Sequence, residues 1–186
     1  MLTTDVLQTN RVRLGIITDD DLPTIGRWYQ DITFLRLLDA RVAALQRESE
    51  LREWIDGSYK SSTAYLFGIR LIDNDALIGY LELEGILWNH GTAWLAIGIG
   101  EAEARGKGYG YEAIQMALSY AFGELNLHRV QLTVFSYNVP AIALYEKLGF
   151  QREGTYREML HRDGQRYDMF LYGILRHEWQ NQTGRA

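Results

Sequence analysis

A chain of 186 residues with 47% hydrophobic and 12% aromatic side chains can bury one well-formed core but is short for two, which excludes disorder as its main state. It contains no cysteine, which removes disulfides, thiolate metal sites and a cysteinyl acyl-enzyme together. A net charge of -5 argues against nucleic acid as a partner and for a cationic substrate.

Several further classes drop out. No uninterrupted apolar run of about 18 residues occurs, and residues 1–13 carry neither a basic leader nor an apolar signal core, so a cytoplasmic chain with no membrane partner is expected. His90, His128, His161 and His177 lie far apart without ligand spacing, so no metal is expected. A Gly-x-Ser-x-Gly elbow is absent, which removes the commonest serine hydrolase reading.

Along the chain, Val12, Leu14 and Ile16 alternate with Arg13 and Gly15 and predict a first strand. Thr18 then caps a helix with Asp19, Asp20 and Asp21 at its positive end, Pro23 in its first turns, and Leu22, Ile25, Trp28, Tyr29 and Ile32 at helical spacing. Residues 34–44 are apolar but irregular and predict a loop over a cleft. Leu51, Trp54 and Ile55 behind Glu48 and Glu50 predict a second helix ending near Gly57. Residues 64–71 and 77–87 are strand-like and are joined by Asp73-Asn74-Asp75, which makes a hairpin. A further strand, apolar on both faces over residues 92–100, ends in two glycines, a sign of a bulge or a close backbone approach.

From Gly108, the spacing of Ala113, Ile114, Ala117, Leu118, Ala121 and Phe122 marks a long amphipathic helix, closed by Gly123 or the Asn126 region. Residues 128–135 alternate as a strand. Asn138 and Pro140 open a helix that Gly149 stops, and two strands flank Asp163-Gly164, the last over residues 169–175, before a polar tail.

Between the strand at 92–100 and the long helix lies Ala104-Arg105-Gly106-Lys107-Gly108-Tyr109-Gly110. Three glycines at alternate positions let backbone N–H groups converge on an anion, and the helix that follows adds its positive end. The P-loop is excluded because Gly106-Lys107 is followed by Gly108 rather than Ser or Thr. The dinucleotide fingerprint is excluded because the glycines fall at first, third and fifth places and Glu101-Ala102-Glu103-Ala104 separates them from the strand.

The pattern that remains, Arg105-x-x-Gly108-x-Gly110, resembles the acetyl-CoA pyrophosphate signature of the GCN5-related N-acetyltransferases (GNAT). The strand before it and Asn138-x-x-Ala141-x-x-Leu144-Tyr145-Glu146-Lys147-Leu148-Gly149-Phe150 match the same family in the same order. The resemblance implies an α/β (α+β) GNAT fold: a central mixed, mostly antiparallel sheet of about seven strands flanked by about four helices. It implies one domain over residues 11–177, with tails at 1–10 and 178–186. The ending, with Glu153-Gly154, Arg157, Asp163-Gly164 and Asp168, is similar to the branch holding ribosomal-protein N-terminal and spermidine acetyltransferases.

The resemblance also implies site residues. Main-chain groups at Ile97, Gly98 and Ile99 would take the pantetheine arm of acetyl-CoA, the pyrophosphate would lie on Arg105, Gly106, Lys107, Gly108, Tyr109 and Gly110, and Asn138 would bond the arm or simply cap its helix. Arg105 would add charge to the cradle, or else be a solvated arginine beside Glu101 and Glu103. Tyr145 would protonate the departing thiolate, or else be a core aromatic. Some relatives carry a glutamate base in the strand at 94–100; no acidic residue occurs there, so the base stays unassigned. Glu82 and Glu84 share one strand face with Tyr80, and either could take the amine proton through water or belong to a polar outer face. Trp28, Tyr29, Asp31 and Phe34 would wall the acceptor pocket or pack the helices. The expected activity is direct acetyl transfer to a primary amine: a small amine, a polyamine or a protein N-terminus. The alternative is a catalytically inactive acyl-CoA-binding regulatory module, which needs no Tyr145. Strand edges admit a homodimer.

Overall fold

The computed structural model describes residues 6–183. Seven strands form one sheet in the order β1-β2-β3-β4-β5-β7-β6. They are β1 (Val12–Gly15), β2 (Tyr65–Leu71), β3 (Leu77–Leu87), β4 (Thr92–Ile99), β5 (Arg129–Phe135), β6 (Gln151–Arg162) and β7 (Gln165–Leu175). Every neighbouring pair is antiparallel except β4 with β5. Six helices accompany them: α1 (Leu22–Trp28), α2 (Ile32–Leu38), α3 (Glu48–Lys60), α4 (Tyr109–Gly123), α5 (Val139–Lys147) and α6 (Arg176–Thr183).

Strand alternation divides the core into two layers. One face buries Leu81, Leu83 and Leu95 against the Ala113, Ile114, Ala117, Leu118 and Ala121 stripe of α4. The other carries Leu66, Leu77 and Tyr80 under α1, α2 and α3. Each fully buried leucine or isoleucine contributes about 1.5–3 kcal/mol, so α4 is fixed by its apolar stripe rather than by a side-chain cap.

Four sequence expectations change. The first helix stops at Trp28 and does not continue to Ile32, because Asp31 accepts from the Thr33 N–H and opens a separate helix. Residues 34–38, expected as part of a loop over 34–44, are therefore helical. The helix at α3 runs through Gly57 to Lys60, since glycine there keeps ordinary helical backbone and only weakens the turn. The polar tail expected beyond His177 is helical through Thr183, and Trp179 packs into the core. These additions raise the helix count from about four to six. Residues 1–5 and 184–186 of the expected tails lie outside the described residues. Among the described residues, no helix is long and apolar enough to cross a membrane.

Candidate active site

The sheet parts at its one parallel junction. β4 and β5 pair only at Thr92 with Arg129, Ala93 with Val130 and Trp94 with Gln131; β5 then continues with β7, and β4 with β3. Leu95 to Ile99 consequently offer a sheet edge that no strand among the described residues occupies, inside a cleft of about 1420 Å³. The cleft reaches Ile97, Gly98, Ile99, Arg105, Gly106, Gly108, Tyr109, Gly110, Asn138 and Tyr145 on one side, and Tyr29, Trp54, Tyr80, Glu82 and Glu84 on the other. Lys107 does not line it.

The glycines at the end of β4 allow close approach, as their place in the strand suggested. A Cβ on Gly98 would stand 3.0 Å from Phe34, and one on Gly100 would stand 1.9 Å from the Trp28 indole. Helices α1 and α2 thus press directly on the strand that feeds the cradle. Beyond it, the chain makes a short turn at Ala102–Ala104, and Gly106 and Gly108 take positive φ values of 73° and 88°. Gly108 is the N-cap of α4, so the first N–H groups of a 15-residue helix open onto the cradle. Its outer wall is fixed by Glu112 in the first turn of α4, which accepts from Thr9 and pairs with Arg11. Arg11 also donates to the Lys107 carbonyl at 3.1 Å.

Arg105 does something neither sequence reading described. Its guanidinium turns back and donates to the carbonyls of Ile99 and Gly100, both at 2.9 Å, and lies over the Phe34 ring at 5.7 Å. It stitches the cradle to the end of β4 and has Asp31 at 3.7 Å. Asn138 caps α5, accepting from the Ala141 N–H, and also faces the cleft.

Tyr145 is on α5 and is 7% exposed, edge-on to Phe150 at 5.9 Å. Its hydroxyl has no hydrogen-bond partner among the described residues, and burial pushes its pKa up to about 12. On the opposite wall, Glu82 is 8% exposed and so does not belong to a polar outer face; Glu84, two residues on, is exposed. The Glu82 carboxylate accepts from the Ser58 hydroxyl at 2.7 Å. Burial raises its pKa above the usual carboxylate range, the Ser58 bond opposes this, and Glu84 adds to it. Tyr80 and Tyr29 share a buried hydroxyl contact at 2.8 Å, and desolvation raises both phenols.

Of the four residues expected to wall an acceptor pocket, Tyr29 and Phe34 line the cleft. Trp28 is a packing residue that donates to Glu101 at 2.9 Å, and Asp31 is a helix cap. One group escaped sequence reading. Ser58 follows Leu51 and Ile55 on the buried stripe of α3, and a serine in that stripe is the signal that could have found it. Residues 39–46 lie over the cleft, in keeping with the loop expected over 34–44, and are held by Arg162, which donates to the carbonyls of Asp39, Ala40 and Arg41. Among the described residues no group of three or more His, Asp or Glu could hold a metal ion.

The arrangement offers an anion cradle, an unoccupied strand edge, and an acidic, aromatic pocket facing a buried phenol. Comparison with known proteins agrees. The acetyltransferase (GNAT) domain family matches residues 11–151. The N-acetyltransferase YoaA of Bacillus subtilis is 27% identical over 172 residues, 92% of this chain and 97% of that protein. A spermidine N(1)-acetyltransferase of Vibrio cholerae is 37% identical over 117 residues, 61% of this chain and 67% of the relative. The crystal structure of a spermidine N-acetyltransferase from Vibrio cholerae, in complex with CoA and spermine, superposes with a TM-score of 0.84 at 28% identity, covering 93% of this chain and 100% of that one. A dodecameric form of the Vibrio cholerae enzyme gives 0.78 at 28% identity, covering 94% and 99%. With the family matched across most of its length and its sheet parted where that fold parts, the chain belongs to the GNAT acetyltransferases and is an N-acetyltransferase.

Proposed function

We propose that the chain moves an acetyl group from acetyl-CoA directly to a primary amine that arrives as an alkylammonium, a polyamine being the leading acceptor. The observation that carries this reading is the parting of β4 from β5 directly before the glycine cradle, with Tyr145 and Glu82 facing the same cleft. The residues present fit the co-substrate: the free edge of β4 suits a pantetheine amide, and the uncovered N–H groups at Gly106 to Gly110 suit a pyrophosphate. Acetyl-CoA supplies the activated thioester.

An alkylammonium has a pKa near ~10.4 and cannot attack until it loses a proton. Glu82 is our base, because the Ser58 bond holds its carboxylate in place and burial makes it more basic than an exposed glutamate. Tyr145 is our acid. A phenol at about 12 is a poor donor to a free thiolate, whose conjugate acid has a pKa of about 8.5, but the dry surroundings that raise the phenol raise the thiol too. Its proton therefore moves as the C–S bond breaks. Tyr29, Trp54 and Tyr80 offer aromatic faces, and Glu50, Glu82 and Glu84 negative charge, which together suit an extended cation. The Vibrio cholerae relative's acceptor supports the polyamine.

The test is thiol release from acetyl-CoA against spermidine, N-terminal peptides, amino acids and aminoglycosides. Spermidine is expected to turn over fastest, and Tyr145→Phe to lower kcat about hundredfold with the acetyl-CoA KM unchanged. Binding without turnover on any amine would favour the inactive module, and absence of acetyl-CoA binding would overturn the cradle.

A further inference from the structure

Two hollows share the wall that carries Glu82. Besides the main cleft, a smaller hollow of about 370 Å³ lies between α3, the segment after it, and β3. Both reach Trp54, Glu82 and Glu84, but only the smaller one reaches Gly57, Ser58 and Thr63. At roughly 30 Å³ per water, it has room for several. We propose that the proton taken from the acceptor ammonium leaves through this rear hollow by way of Glu82 and Ser58, so that acceptor and proton use different mouths.

The proposal rests on the reading of Glu82 as base. Once the acceptor and the acetyl donor fill the main cleft, water is displaced from the front of Glu82, and a base that cannot return its proton to solvent works once. Behind it, Ser58 donates to Oε1 at 2.7 Å and borders the rear hollow directly. The remaining neighbours offer no better route. On its own strand Glu82 has Tyr80, already engaged with Tyr29, and Glu84, a like charge; Trp54 on α3 can donate but not accept. Leu66 on β2 and Ala96 on β4 stand opposite it and are apolar.

The bonds balance as follows. An ammonium N–H bond breaks and a Glu82 O–H bond forms. The freed nitrogen lone pair attacks the thioester carbonyl, the C–S bond breaks, and the sulfur takes the Tyr145 proton. The second nitrogen proton then restores Tyr145. One proton remains on Glu82; it passes to the Ser58 oxygen as the Ser58 hydroxyl proton passes to water in the rear hollow, so one proton is released per acetyl group transferred.

Gly57 makes the route testable. It has ordinary helical backbone, and a Cβ added there meets nothing within 4 Å, so a large side chain can fill the rear hollow without entering the main cleft. In repeated turnover, Gly57→Trp is expected to lower kcat about tenfold and enlarge its solvent deuterium isotope effect, with neither KM raised and the rate of a first, single turnover unchanged, and Thr63→Trp to do the same from the other wall. Ser58→Ala, which removes a bond that favours the Glu82 carboxylate, is expected to move the acid limb of kcat/KM to higher pH, and Ser58→Thr to restore it. Parent kcat values in both tryptophan variants, or an unmoved limb in Ser58→Ala, would overturn the route. So would a raised acceptor KM at unchanged rate, which would make the rear hollow an acceptor entrance. If Glu82→Gln kept the parent rate and acid limb, the base itself would be wrong, a failure separable from failure of the route.

Discussion

At the scale of single residues, Glu82 is held where a carboxylate costs stability. Burial is the largest influence on it, and Glu84 pushes the same way; only the hydroxyl of Ser58 and the indole of Trp54 oppose them. Its pKa in the folded chain is therefore raised above the unfolded value. Such a group supports the fold below its unfolded pKa and withdraws that support as pH rises through the folded value. Glutamine at this position keeps an acceptor for Ser58 but never charges. Glu82→Gln is expected to unfold at a higher temperature than the parent at pH 7 to 8, with the gain vanishing as the pH falls below the unfolded carboxylate value. Parallel melting curves across pH check this; equal midpoints at neutral pH would mean that the charge is not penalised. Gained stability with lost turnover is what a strained functional group should show.

Among the elements, β4 meets helices on both faces, and Gly98 with Gly100 just after it is why α1 and α2 come so close. A methyl at Gly100 would overlap the Trp28 indole at 1.9 Å, and the ring is held by the Glu101 carboxylate. Gly100→Ala should cost roughly 1–3 kcal/mol, lowering the melting temperature by about 2–12 °C, and should raise the acetyl-CoA KM because the cradle begins there. Gly26→Ala, inside α1 with open space around it, should instead be neutral or stabilising by up to about 1 kcal/mol. Thermal melts of the two alanine variants decide it; equal effects would deny the close approach. This element was legible in sequence because its signals are local: an apolar run, then glycines at fixed offsets, then a helical stripe. The same holds for α5, where Asn138 and Pro140 open the helix. Helix α2 was not, because Ile32 and Leu37 lie exposed on a short helix that faces the cleft, so its apolar spacing is broken. Helix α6 was hidden by a polar composition in which Trp179 does the packing. The turn of Arg105 toward Ile99 and Gly100 is set by the folded path of the cradle, and although a serine in the buried stripe of α3 is a local signal, its pairing with Glu82 joins segments 24 residues apart.

For the whole molecule, the long β6–β7 hairpin reaches across and holds the segment that roofs the cleft, the proposed acceptor pocket. Arg162 donates to the carbonyls of Asp39, Ala40 and Arg41, at 3.2, 3.4 and 3.0 Å, while Asp163 at the turn pairs with Arg36 on α2 and Tyr137 donates to the Arg36 carbonyl at 2.6 Å. The Arg36–Asp163 pair is exposed and is worth little, so the three carbonyl bonds from Arg162 carry most of the roof's order. Among the described residues the Nε of Arg162 is buried without a partner, so truncation removes an uncompensated group as well as useful bonds, and global stability should move little. The local consequence is larger. Arg162→Ala is expected to raise the acceptor KM about tenfold, as loss of a charged hydrogen bond of ~1.5–3 kcal/mol would, with the acetyl-CoA KM within about twofold of the parent. Hydrogen exchange at residues 39–46 should accelerate in the same variant while α4 stays protected. An unchanged acceptor KM with a loosened roof would show that acceptor recognition lies wholly with Tyr29 at the end of α1 and with Tyr80 and Glu82 on β3, and that the hairpin serves the fold alone.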